Sequence, residues 1–176
     1  MNAQTEFLYQ GSFLSLKRRG AWEYVERCNV SGCVAILAIT ENREIILVEQ
    51  FRPPMNSSVI ELPAGLAGDI QPDKQETLAT AAKRELLEET GYEAQGMEWL
   101  MEGPSSAGLS SEIITFFHAH GLRKTSQGGG DGTENITVHS VPLDELTFWL
   151  ESKRQGDCLI DYKICAALYL LEQVAL

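Results

Sequence analysis

The 176-residue sequence predicts an α/β fold. Three observations carry that expectation. Cys33 to Thr40 (CVAILAIT) and Glu44 to Phe51 (EIILVEQF) are apolar runs of strand length, separated by a turn at Glu41-Asn42. Glu76 to Tyr92 (ETLATAAKRELLEETGY) has the composition of a helix and ends at a glycine. Asp161 to Val174 closes the chain as a helix with Ile164, Leu168 and Leu171 on its core side. Hydrophobic residues at 44% and charged residues at 22% are globular values, and the length suffices for one core with a small added subdomain.

The elements follow in order. Residues 1 to about 30 alternate loosely, with Phe7, Tyr9, Phe13, Leu14, Trp22, Tyr24 and Val25, and read as two or three short strands around Lys17-Arg18-Arg19-Gly20. This segment has too little mass to bury its aromatics alone, so residues 1–30 are expected to form a β subdomain packed on the main domain, 31–176, or on a second subunit. Cys33 to Thr40 is a central strand, and the strand from Glu44 stops at Arg52-Pro53-Pro54, because proline removes a ladder donor. Val59 to Leu62 is a short strand leading into Pro63-Ala64-Gly65. Asp73 followed by Glu76 fits a capping box, and Gly91 sits where a left-handed C′ residue belongs. Trp99 to Met101 reads as a strand and Gly103 to Ser111 as a small-residue loop. Ile113 to His120 (IITFFHAH) is a buried strand. His118 and His120 share a face there, no third ligand stands near them in sequence, and they read as structural. Lys124 to Gly132 (KTSQGGGDG) cannot be core and invites a lid or substrate-loop role. Pro142 to Arg154 is an amphipathic helix with Leu143, Leu146, Phe148, Trp149 and Leu150 toward the core.

A net charge of −11 argues against a nucleic-acid surface. There is no apolar run long enough to span a bilayer and no basic-then-apolar signal at the N-terminus, so no membrane association is expected. Cys28, Cys33, Cys158 and Cys165 have no CxxC spacing; they read as free thiols, which points to a cytoplasmic location.

The chemistry concentrates in the helix at 76–92. Glu85, Glu88 and Glu89 stand at i, i+3 and i+4 and share one face, where like charges repel. An acidic helix face is solvated by default. The economical neutraliser for a packed cluster is a hard divalent cation such as Mg²⁺, which takes one or two carboxylates and completes its shell with waters and substrate phosphates. Arg84, four residues before Glu88, can hold part of the cluster in place.

Glu76, then seven residues, then Arg84-Glu85-Leu86-Leu87-Glu88-Glu89-Thr90-Gly91-Tyr92 resembles the Nudix box, G-x5-E-x7-R-E-U-x-E-E-x-G-U, where U is a bulky apolar residue. Every fixed position from the first glutamate onward matches. The box glycine is replaced by Ile70, and the loop GDIQPDKQ over residues 68–75 is about five residues longer than is usual for the family by comparison of the motif spacing. Glu61-Leu62-Pro63-Ala64-Gly65 and Glu49-Gln50-Phe51-Arg52-Pro53-Pro54 are similar to stretches of the ADP-ribose pyrophosphatase branch.

The resemblance implies an α/β/α sandwich around a mixed β-sheet, with a small N-terminal β subdomain, in a homodimer whose N-terminal strands are exchanged. It implies Glu85 and Glu89 as the main metal ligands, Glu88 as a shared ligand, the Ala64 carbonyl as a further ligand and Arg84 as the residue that holds the glutamates in register. Arg52 would contact substrate, Trp22 would stack on the base, and Gly108 and Leu109 would line the substrate site in a segment similar to P-G-L-S, with Ala107 in the proline position. Glu134, which follows the glycine loop, is the expected general base, with Asp131 as its alternative. The implied reaction is Mg²⁺-dependent hydrolysis (Mn²⁺ a possible substitute) of a nucleoside diphosphate sugar, ADP-ribose giving AMP and ribose 5-phosphate. Two other readings stand beside it: another nucleoside diphosphate sugar as substrate, and a catalytically silent nucleotide-binding module, whose mark would be a broken box.

Overall fold

The computed structural model describes residues 4–68, 76–130 and 135–174. Asp131 and Glu134, and most of the long loop at 68–75, lie outside the described residues.

The N-terminal aromatics fall in an antiparallel sheet of β1 (Thr5–Gln10), β2 (Leu14–Arg19) and β3 (Trp22–Arg27), ordered β1-β2-β3. The turn between β2 and β3 uses Gly20 at φ 63°, a conformation glycine adopts without steric cost. The sheet leaves Phe7, Tyr9, Phe13 and Trp22 exposed. It reaches the main body through Val25, whose N–H donates to the Leu109 carbonyl (2.9 Å) and whose carbonyl accepts from the Ser111 N–H (3.1 Å).

The main body contains β4 (Gly32–Ala38), β5 (Glu44–Arg52), β6 (Ser57–Glu61), β7 (Ala64–Ala67), α1 (Leu78–Thr90), β8 (Tyr92–Pro104), β9 (Ile113–Lys124), β10 (Ile136–Pro142), α2 (Leu146–Gln155), β11 (Leu159–Ile160) and α3 (Lys163–Val174). Two four-stranded sheets, ordered β7-β4-β9-β8 and β10-β5-β6-β11, form its centre. Both are mixed: β4 runs parallel to β9 and β11 parallel to β6, while the other pairs are antiparallel. The apolar runs of β4 and β5 are continuous because both faces of these strands are covered. Period-two alternation sends Ala35, Leu37, Ile45 and Leu47 into one core cluster with Leu146 of α2 and Ile164 of α3. It sends Val34, Ile36, Ala38 and Ile46 into a second cluster with Ala82 and Leu86 of α1. Helices therefore cover opposite sides of the strands, as the α/β/α expectation requires.

Four local expectations change. The cap of α1 is Thr77, whose Oγ1 accepts from the Thr80 N–H (3.2 Å). Glu76 is instead drawn to Arg84 and to the Gly68 N–H (3.2 Å). Phe148 is 82% exposed, because a 3-10 turn over Leu143–Glu145 delays α2. Leu146, Trp149 and Leu150 are then i, i+3 and i+4 on the core face, and position 148 points away. The strand expected at Trp99–Met101 extends over all of β8, since β9 pairs with it from Tyr92 to Pro104 across an irregularity at Trp99/Met101.

The fourth change concerns the glycine stretch, whose described part is fastened to the C-terminal end of α1. Gly91 ends the helix at φ 72° and donates to the Leu87 carbonyl (2.8 Å). Gly130 and Gly129 donate to the carbonyls of Glu88 (3.1 Å) and Glu89 (2.8 Å), and Lys124 Nζ reaches the Thr90 carbonyl (2.6 Å). The last carbonyls of a helix have no intrahelical partner, and here the loop supplies them. Gly128, Gly129 and Gly130 all have positive φ. A Cβ on Gly128 would collide with the backbone of Thr90, so glycine is required there by close approach as well as by conformation.

Candidate active site

Helix α1 presents Glu85, Glu88 and Glu89 to a cavity of about 740 Å³. The tight approach of β7 makes this possible. Gly65 lies directly against the Glu85 side chain, and any Cβ there would occupy the place of its carboxylate. The β7 backbone also holds the acids: the Ala64 N–H donates to Glu89 Oε2 (3.0 Å) and the Leu66 N–H to Glu85 Oε1 (3.3 Å). Glu89 is 4% exposed.

Arg84 ties this arrangement together. Its Nη1 donates to Glu85 Oε1 (2.8 Å) and Glu88 Oε2 (3.1 Å), its Nε to Glu76 Oε1 (3.0 Å), and its Nη2 to the Leu66 carbonyl (2.8 Å). One planar guanidinium thus joins the helix face, the segment that leads into the helix and the facing strand, a task for which a lysine lacks the donors. Burial works against the charge on Arg84, but Glu76 and Glu85 outweigh it and raise the guanidinium pKa above its ordinary value. The same bond from Arg84, opposed by burial and helped by the Gly68 N–H, holds Glu76 below the usual carboxylate range. Glu76, the first glutamate of the box, therefore positions the arginine.

The cavity wall carries further cations, each beside an acid. Arg52 Nε donates to Glu61 Oε2 (2.7 Å), Arg27 bonds Glu112, and Lys163 bonds Asp161. Arg27, Arg52, Arg84 and Lys163 all line the cavity. Glu61, Glu85, Glu88, Glu89 and Glu112 line it as well, so the four cations are balanced by carboxylates and a bound divalent cation would tip the cavity toward an anion. Burial first, and then Glu112, pushes the Cys33 thiol up to about 12, so it stays protonated and is no nucleophile at neutral pH.

The donor set fits a hard divalent cation. Three carboxylates converge on one cavity with a strand of backbone carbonyls at hand, and Ala64 lines the same cavity. Of the other expected residues, Arg52 lines it as well, whereas Trp22, Gly108 and Leu109 do not. Trp22 is 67% exposed and so is no core tryptophan; Leu109 serves as the backbone partner of β3. Sequence reading missed Arg27, Glu112 and Lys163. Glu112 directly follows the small-residue loop, and that adjacency was its one visible signal; Arg27 and Lys163 come from distant elements and had none.

Comparison with known proteins agrees with this geometry. A family model for the NUDIX domain matches residues 31–161. A methanol dehydrogenase activator of Bacillus methanolicus is 40% identical over 146 residues, covering 82% of this chain and 75% of that protein. An ADP-ribose pyrophosphatase of Bacillus subtilis is 34% identical over 134 residues, covering 76% and 70%. A GDP-mannose pyrophosphatase of Cronobacter sakazakii is 31% identical over 134 residues, covering 72% and 65%. The crystal structure of an ADP compounds hydrolase superposes with a TM-score of 0.75 at 21% identity, covering 98% of this chain and 92% of the other. With the box glutamates, their arginine clamp and the facing strand all in place, this chain belongs to the Nudix family of hydrolases.

Proposed function

We propose that this protein hydrolyses the diphosphate bond of ADP-ribose, giving AMP and ribose 5-phosphate, with Mg²⁺ as the working cation and Mn²⁺ as a possible substitute. The observation that carries the reading is the meeting of three box carboxylates and four cations on one cavity. Glu85, Glu88, Glu89 and the Ala64 carbonyl would hold the metal. When bound, it would neutralise the diphosphate and acidify the attacking water. Arg52, Arg27 and Lys163 grip the anionic substrate, and Arg84 keeps Glu85 and Glu88 in register. Glu134 takes the proton of the water as its oxygen bonds to phosphorus and the bridging P–O bond breaks. Its loop is anchored at Gly129 and Gly130 on the backbone carbonyls of Glu89 and Glu88, so the segment leading to the base starts from the helix that carries the carboxylates. Asp131 is the alternative base.

Trp22 lies outside the cavity of its own chain, and a homodimer with exchanged N-terminal strands would let it stack on the base of a substrate in the partner subunit. A cytoplasmic location belongs to this reading: all four cysteines are free, and no helix among the described residues is long and apolar enough to cross a membrane.

The GDP-mannose pyrophosphatase relative supports a second substrate reading, a GDP-sugar, with a UDP-sugar as the further alternative. The 40% identical relative supports a reading of another kind, activation of a dehydrogenase. A product assay with Mg²⁺ across ADP-ribose, GDP-mannose, UDP-glucose and a nucleoside triphosphate, run beside Glu134→Gln, separates the substrate readings and tests the base. AMP from ADP-ribose, lost in the variant, is the expected result. Preferred turnover of another sugar nucleotide changes the substrate and keeps the chemistry. Unchanged turnover in the variant moves the base to Asp131 or a glutamate of the box helix, and no turnover of any compound overturns the hydrolase reading in favour of a silent binding module.

A further inference from the structure

The β8–β9 hairpin carries a second group of ligating side chains, and none of them lines the carboxylate cavity. His118 and His120 alternate onto one face of β9. The ladder pairs Glu98 of β8 directly with His118, which places its side chain on that same face. One ring nitrogen from each histidine and one Glu98 oxygen lie within 4.8 Å of one another. The imidazole centroids are 4.1 Å apart, and His120 Nε2 is 2.9 Å from Glu98 Oε2.

A structural role accounts for only part of this. The Glu98–His120 hydrogen bond satisfies two of the three groups. His118 Nδ1 is buried and has no hydrogen-bond partner among the described residues. A buried ring nitrogen without a partner has lost its hydration for nothing, and such groups are rare in folded proteins. Two imidazoles and a carboxylate are the donors that Zn²⁺ takes, with bonds of about 2.0–2.2 Å and a fourth corner free for water or another ligand. Tetrahedral bonds of that length separate the donors by about 3.4 Å, which small side-chain rotations would reach from the observed spacing. There is room for the fourth position: Gly96 stands opposite His120, and a Cβ there would meet nothing within 4 Å. Glu98 and His120 are about half exposed, so an ion has a path from solvent.

We propose that Glu98, His118 and His120 form a three-ligand site for a borderline divalent cation of the Zn²⁺ class, separate from the carboxylate site on α1. The backbone ladder of the hairpin pre-positions the three ligands, and the protein needs no refolding to bind.

The test is calorimetric titration of the full chain with Zn²⁺ in the presence of excess Mg²⁺. It is repeated in a Glu85→Gln/Glu89→Gln background that removes metal binding at α1, and with Co²⁺ as a spectroscopic stand-in. One Zn²⁺ per chain should persist in the double variant. It should be lost in His120→Ala and in Glu98→Gln, together with the visible Co²⁺ bands of nitrogen ligation. Both single variants should keep their circular dichroism and their Mg²⁺-dependent turnover. Equal Zn²⁺ stoichiometry with and without His120, or no Zn²⁺ bound in the double variant, would overturn the proposal. Neither outcome touches the hydrolase reading, which the product assay tests by itself.

Discussion

Glu89 combines a charge and an amide contact that one substitution can separate. Its carboxylate faces the cavity as a metal ligand in the proposed reaction, and its Oε2 accepts the Ala64 N–H. Glu89→Gln keeps an oxygen for that amide and removes the charge. Turnover should fall by about a hundredfold or more, the scale of losing a charged group that acts on the transition state. The melting temperature without metal should move by no more than about 2 °C, or roughly 0.5 kcal/mol. Glu89→Ala also abandons the Ala64 amide in a buried place, and should cost about 1–3 kcal/mol further. A large loss of stability in the glutamine variant would mean that the carboxylate serves the core rather than the metal. Thermal melts and initial rates on both variants decide the matter.

At the scale of elements, α1 and the glycine stretch behave as one unit. The loop caps the helix that carries the metal ligands, so a defect in the loop should be felt at both. Gly128→Ala places a Cβ against the Thr90 backbone at a φ of 72°. It should destabilise the protein by about 1–3 kcal/mol and lower turnover, because the chain leading to Glu134 must move. Gly96→Ala, on β8 and away from the carboxylate cavity, is the control. A Cβ there meets nothing within 4 Å, and the change should leave both melting temperature and rate near wild type. Equal behaviour of the two variants would show that the loop contacts carry no weight.

The whole molecule presents an N-terminal sheet that does not cover its own aromatics. Phe7 is 60% exposed, Tyr9 69% and Phe13 81%. A three-stranded sheet needs an apolar face covered, and the main body meets this one chiefly through β3. A second copy of the chain is the proposed cover. Light scattering should give a mass near twice 19.5 kDa, and Phe7→Ser/Phe13→Ser should shift it to the monomer. If Trp22 acts across the dimer, the same variant should raise KM for the nucleotide sugar more than it lowers kcat. A wild-type monomer with full activity would remove the dimer from the proposed function.

Local sequence was enough to identify the apolar strands β4 and β5, the body and glycine stop of α1, the face shared by Glu85, Glu88 and Glu89, and the link of Arg84 to Glu88. These features rest on periods of two and 3.6 and on nearest-neighbour chemistry, which a linear chain displays. Arg52 was legible only through its motif, because its partner Glu61 sits nine residues away on the next strand. Tertiary structure alone decided what distant segments do to one another. It set Gly65 against Glu85, joined Arg84 to Glu76 and the Leu66 carbonyl, brought Arg27 and Lys163 to the cavity, and turned the glycine run into a helix cap. It also supplied Glu98 to two histidines that lacked a third partner in sequence. Strand pairing across 20 residues and packing of a strand against a helix leave no periodic trace in either segment, since each residue's partner is fixed by register and not by its neighbours.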